Sequence, residues 1–165
     1  MDYYFILIVG YFLHFPAISL GVLTHEVGHS LMAFFLTKET VIANIGLGKA
    51  KKILFLGRVS FIFTKLPWTQ GKTQCRVSDN SKTRRFLILI AGVLFNLVQI
   101  ILSITILTFS TLPIRCIMLA WLLSNARVMI GSLYSEGNSR GSDYKKIFRL
   151  VAETFHLSKN CKKIL

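Results

Sequence analysis

From Tyr3 to Thr24 the chain carries no charged side chain, and from Phe86 to Ile114 it again carries none. A helix needs about 20 apolar residues to cross the hydrocarbon core of a bilayer. Only helices and closed barrels satisfy every backbone polar group at that depth. Two runs this long and this free of charge restrict the fold more than any other feature of the sequence. Composition agrees: 53% of residues are hydrophobic, the mean hydropathy is +0.56 and only 16% are charged. A soluble domain usually carries about 25% charge. The first run is longer than a signal-peptide core and no small-residue cleavage site follows it, so it is expected to be retained. A chain of 165 residues accommodates one domain.

Three spans are expected, at about 3–36, 86–109 and 116–135, with "STLPI" at 110–114 as the turn between the last two. The first is longer than a bilayer requires, so it tilts, kinks at Pro16 or projects from the membrane. The net charge of +13 is distributed in blocks. Residues 1–37 hold no Lys or Arg, 38–85 hold eleven, 86–114 hold none and 115–165 hold nine. Such alternation follows the positive-inside rule and argues against a nucleic-acid-binding face. Anionic lipid headgroups are the simpler partner for this charge. The 38–85 loop, with acidic residues only at Glu39 and Asp79, is expected in the cytoplasm. The N-terminus and the 110–114 turn then lie outside and the C-terminus inside. The Lys- and Ile-rich composition points to a multi-pass protein of a bacterial plasma membrane.

Residues 41–67 differ in texture. They are rich in β-branched and aromatic residues and punctuated by Gly46, Gly48 and Gly57, which predicts one or two hairpins. Residues 68–85 read as a polar loop. Residues 145–159 place Ile147, Leu150, Val151 and Phe155 on one side and basic residues opposite, an amphipathic helix for the inner membrane surface. Cys75, Cys116 and Cys161 are widely spaced and odd in number, and fit neither a disulfide framework nor a C-x-x-C metal site.

The chemistry concentrates in "THEVGHS" at 24–30. His25 and His29, four apart on a helix, present both imidazoles on one face, close enough to hold one Zn2+ ion. Glu26 in this H-E-x-x-H arrangement lies beside the metal, where a carboxylate can take a proton from metal-activated water. Gly28 leaves room for a close neighbour. Interfacial histidines at a helix end are the bland reading. Three ionisable groups in one turn at membrane depth are costly, however, and call for a common partner. A catalytic zinc commonly takes a third protein ligand. His14 is about three turns away along the helix, and His156 lies in the basic tail. Asp143 and Glu136, which follow the inner end of the third span, are the carboxylates in reach. Asn96 and Asn125 sit within spans, either as interhelical hydrogen-bonding groups or as holders of a substrate backbone near zinc. Arg127 faces a water-filled cavity or snorkels to the inner surface. Trp68 and Trp121 are suited to anchoring at the interface.

These segments resemble, in order, the site-2 protease family of intramembrane zinc metalloproteases. "LGVLTHEVGHSLMAFF" resembles its first core helix, and "IGLGKAKKILFLGRVSFIFTKLPW" its membrane-associated β-hairpin region. "RRFLILIAGVLFNLVQIIL" is similar to its second core helix, whose signature is Ala-Gly-Pro-x-x-Asn; Ala91, Gly92 and Asn96 match and Val93 replaces Pro. "GSLYSEGNSRGSDYKKIF" is similar to the region that completes the zinc site, usually Asn-Leu-x-Pro followed by Asp-Gly. Here Gly131 or Ser132 stands near the Asn position, Ser135 near the Pro, and Tyr144 follows Asp143. The resemblance implies an all-α polytopic core of three transmembrane helices with a β-hairpin region and no inserted PDZ domain. It implies zinc ligation by His25, His29 and Asp143 and catalysis by Glu26, and the Asn96 match favours the substrate-holding reading of that residue. The expected activity is cleavage of a membrane-embedded peptide or a single-span protein segment, with substrate chosen by the core or by a regulatory membrane partner. An exposed edge of the 41–67 hairpin is expected to pair with an unwound substrate by strand addition. The alternatives are a non-cleaving family member that binds a peptide or membrane partner, and a metal-handling membrane protein.

Overall fold

A computed structural model of the chain describes residues 2–46, 48–65, 70–75, 81–134 and 150. The architecture is three long helices with a four-stranded sheet at one end. Helix α1 spans Asp2–Leu36, α2 Lys82–Phe109 and α3 Leu112–Tyr134. Strands β1 (Val41–Ile45), β2 (Lys52–Leu56), β3 (Val59–Phe63) and β4 (Gly71–Cys75) lie between α1 and α2. All three helices are long and apolar enough to cross a membrane. Helix α1, with 35 residues, extends about 52 Å at about 1.5 Å per residue, and Pro16 lies inside it without breaking it.

Local chemistry sets the helix ends. Thr37 Oγ1 donates to the Ala33 carbonyl at 2.8 Å. The Arg58 guanidinium, from the turn between β2 and β3, donates to the carbonyls of Thr37 at 2.7 Å and Phe34 at 3.3 Å. It also lies 4.7 Å from the Phe34 ring centroid. A cation thus caps the negative end of α1 and ties the hairpin turn to it. Helix α2 begins four residues earlier than its uncharged run, because the Ser81 side chain accepts from the Arg84 backbone N–H and caps it. Helix α3 also begins early. Pro113 occupies its first turn, where the missing N–H removes no helical bond. The α2–α3 turn therefore shrinks to Ser110 and Thr111.

The sheet order is β2-β3-β1-β4. The 41–67 stretch contains one hairpin, β2–β3, and β1 joins it in parallel with β3. Residues 68–85 are more than a polar loop: β4 pairs antiparallel with β1, Ala43 opposite Thr73. An extended segment with few apolar residues gives no periodic signal, and only the partner strand defines it. Val41, Ala43 and Ile45 of β1 are fully buried, and pack with Val59 and Phe61 of β3 and with Val22 and Ala33 of α1. Every residue of β2 is exposed, including Ile53, Leu54, Phe55 and Leu56. An open, apolar cleft of about 470 Å³ separates the hairpin from α1.

One basic residue departs from the block pattern. Arg115 lies in the first turn of α3, at the end of the bundle opposite the sheet, apart from the other basic residues of its block in sequence. The 145–159 amphipathic segment, His156, Asp143 and Glu136 fall outside the continuous described residues.

Candidate metal centre

His25 and His29 lie on the buried side of α1, at 5% exposure each, with Glu26 between them at 4%. The two imidazoles stand at 89° to each other, with their Nε2 atoms 3.1 Å apart. His29 Nδ1 lies 2.6 Å from the Ile88 carbonyl of α2. A carbonyl only accepts, so Nδ1 carries the proton and Nε2 presents its lone pair toward His25. A backbone carbonyl that fixes a histidine tautomer in this way is the usual outer support of a metal ligand. Two nitrogens bound to one tetrahedral zinc at about 2.0–2.1 Å are about 3.3 Å apart. The 3.1 Å separation suits a shared cation and equally suits a hydrogen bond donated by His25. The two nitrogens are thus spaced as two ligands of one zinc would be, with no third ligating side chain beside them among the described residues.

Glycine makes this packing possible. A methyl group at Gly92 of α2 would overlap His29 Nε2 and its ring neighbours. A methyl at Gly28 would meet the Ala91 carbonyl at 2.8 Å and Phe95 Cβ at 2.7 Å. The close approach of α1 and α2 that brings Ile88 to His29 thus depends on a bare backbone on both helices. A side chain at Gly71 of β4 would likewise collide with the Glu26 carboxylate.

The Glu26 carboxylate is held from the sheet. Thr73 Oγ1 donates to Glu26 Oε2 at 2.7 Å, and Ser30 Oγ lies 3.3 Å from Thr73 Oγ1. A threonine hydroxyl has one proton. With that proton on Glu26, Ser30 is the donor to Thr73, and the order is Ser30 to Thr73 to Glu26. Sequence reasoning missed Thr73 and Gly71. They lie 47 and 45 positions beyond Glu26, in a segment without a motif, and only the β1–β4 pairing brings them there. The pairing also bears on strand addition. The free edge β2 is separated from β4 by β3 and β1, so the strand against Glu26 is β4 and not the hairpin edge.

Asn96 and Asn125 come together at Thr24, the residue before His25. Thr24 Oγ1 lies 2.9 Å from the Gly21 carbonyl, 3.2 Å from Asn125 Oδ1 and 3.5 Å from Asn96 Oδ1. Both asparagines are fully buried. Asn125 Nδ2 donates to the Trp121 carbonyl at 2.9 Å, and Asn96 Nδ2 has no partner among the described residues. His14 belongs elsewhere: its Nδ1 lies 3.1 Å from Ser124 Oγ of α3. Among the described residues no group of three metal-ligating side chains assembles; Asp143 lies outside them. Neither the protein-family models nor the curated proteins contain a match to this chain.

Proposed function

We propose that this protein is an integral-membrane zinc endopeptidase of the site-2 protease type, with α1, α2 and α3 as its spanning core. The observation that carries this reading is the paired Nε2 atoms of His25 and His29, one of them fixed by the Ile88 carbonyl, with buried Glu26 between them on the chain. A charged carboxylate beside two imidazoles is expensive at such burial unless a cation shares the site. His25, His29 and Asp143 would hold the zinc, which when bound supplies the positive charge that acidifies water and polarises a peptide carbonyl. Glu26 accepts the proton from the attacking water and passes it to the leaving amine. Thr73 orients the carboxylate, and its grip on Oε2 limits rotation.

Two further features support the membrane setting. The largely apolar β2, exposed at every position, would be an aggregation edge in water, whereas a lipid surface tolerates it. The orphan amide of Asn96, one turn's neighbourhood from the histidines through Thr24, is suited to an extended peptide backbone whose carbonyl or N–H completes its hydrogen bonding. The substrate on this reading is a membrane-embedded peptide or single-span segment, cut at the end of the bundle that carries the basic 38–85 block.

The experiment is to purify the protein in detergent, measure bound zinc, and compare cleavage of candidate single-span substrates by wild type and Glu26→Gln. Zinc bound in both and cleavage only by wild type is the expected result. Zinc bound in both with the substrate retained but cut by neither selects the non-cleaving peptide binder. A protein that takes up no zinc on reconstitution overturns both.

A further inference from the structure

At the end of the bundle away from the histidines, the first turns of α1, the last turn of α2 and the start of α3 enclose an open cleft of about 410 Å³. Ile6, Leu7, Leu107 and Leu119 supply its apolar wall, and Tyr3, Thr108 and Arg115 its polar groups. That volume lies within the range of about 300–1,000 Å³ typical of small-molecule sites.

The charge in this cleft is not balanced by what surrounds it. Arg115 Nε is buried and has no hydrogen-bond partner among the described residues. The side chain as a whole is partly exposed at the cleft, and its guanidinium is a permanent cation with an Nε–H that neither the described residues nor water satisfies. The helix makes matters worse. Arg115 sits in the first turn of α3, where no acidic residue is present, and the positive end of the helix dipole adds to its charge. Thr108 gives its proton to the Thr105 carbonyl at 2.7 Å. Arg115 is also the one basic residue of the described chain at this end; apart from Arg127, farther along α3, the others lie in the first turn of α2 or between α1 and α2. The cleft thus combines a forked cation, held within a turn of the helix ends, with an apolar wall running toward the middle of the bundle.

We infer that this cleft binds an anionic phospholipid of the leaflet at that end. The phosphate accepts two N–H bonds from the Arg115 guanidinium, a geometry this side chain fits bidentately, and one acyl chain lies along Ile6, Leu7, Leu107 and Leu119. The inference rests on the membrane-spanning part of the proposed function and is independent of proteolysis.

The test uses the full-length protein in an uncharged detergent, titrated with phosphatidylglycerol, with phosphatidylcholine and with inorganic phosphate, and reads retained lipid by native mass spectrometry. Wild type is expected to prefer phosphatidylglycerol over phosphatidylcholine by about tenfold, because both offer a phosphodiester but the choline cation of the latter offsets its charge and is repelled by Arg115. Arg115→Gln should abolish that preference while zinc content at the other end stays unchanged. Equal preference in Arg115→Gln and wild type overturns the site, since the lipid would then be held by the basic block. Inorganic phosphate that displaces phosphatidylglycerol at similar concentration also overturns it, because the acyl wall would contribute nothing. If Arg115→Gln fails to fold, Leu7→Trp keeps the charge and fills the apolar part: loss of the preference supports the site, and full retention overturns it.

Discussion

The two ends of the bundle treat their ionisable groups in opposite ways. At the sheet end, three ionisable side chains fall within five residues of α1, and contacts from other elements fix two of them: Ile88 of α2 orients His29, and Thr73 of β4 holds Glu26. At the far end, Arg115 faces an apolar wall and no carboxylate of the described residues reaches it. The comparison separates two kinds of buried polar group. Those in the first set are oriented by their surroundings, which is what positioned chemistry needs. The second is a charge whose complement must arrive from outside the chain.

The sharpest way to break this contrast is at the histidines. His25→Ala or His29→Ala should abolish zinc retention, measured by metal analysis after dialysis. Glu26→Gln should keep the metal and lower kcat by at least about 10²–10⁴-fold, the usual contribution of a positioned acid–base group. Comparable loss of metal in Glu26→Gln would mean that Glu26 is a ligand and not a base. Gly92→Ala comes next. The added methyl forces α2 away from His29 and should weaken zinc binding by about 10–100-fold, the scale of outer-support defects, as read by competition with a chelator.

Thr73→Val keeps the shape of the side chain and removes the donor to Glu26. It should lower kcat by about tenfold with KM and zinc unchanged, since a hydrogen bond to a charged group contributes about 1.5–3 kcal/mol, part of which water recovers. Thr73→Ser should restore most of the rate; a Thr73→Val enzyme with normal kcat would show that β4 merely covers the site. Arg58→Gln tests whether the hairpin is pinned to α1. Losing the cap on the Thr37 and Phe34 carbonyls should cost about 1 kcal/mol of stability, read as a lower thermal midpoint with unchanged zinc stoichiometry. The smallest effect is expected at Cys75. Burial pushes its thiol pKa up, so at a given pH less thiolate is present and alkylation by iodoacetamide near neutrality should be slower than for a free thiol. The rate should climb as pH rises through the shifted value.

Several features were legible in the sequence because their causes are local. Uncharged runs of membrane length report the cost of charge in hydrocarbon, and the three helices follow them to within a few residues, α2 and α3 starting early because Ser81 and Pro113 suit helix starts. The i, i+4 spacing puts His25 and His29 on one face whatever packs against it. The β region was legible as strands. Its pairing was not, since the parallel partnership of β1 with β3 requires knowing where the chain returns. Thr73 and Gly71 were invisible for the same reason, and Asn96 and Asn125 could be named but not joined until Thr24 brought their amides together.

Arg115 shows where the division falls. Counted along the chain it belongs to the basic block that starts with it, yet it directly follows the 110–114 turn. Starting α3 at Leu112 brings Arg115 inside the helix's first turn, at the turn end of the bundle and away from the rest of that block. The sequence alone determined three apolar helices and a turn of α1 bearing two imidazoles and a carboxylate, because burial cost and helical periodicity act over a few residues. The tertiary structure decided which backbone carbonyl orients His29, which strand holds Glu26 and what surrounds Arg115. The first two contacts join positions 59 and 47 residues apart, and the packing of bare glycine surfaces against the histidine face lets them form.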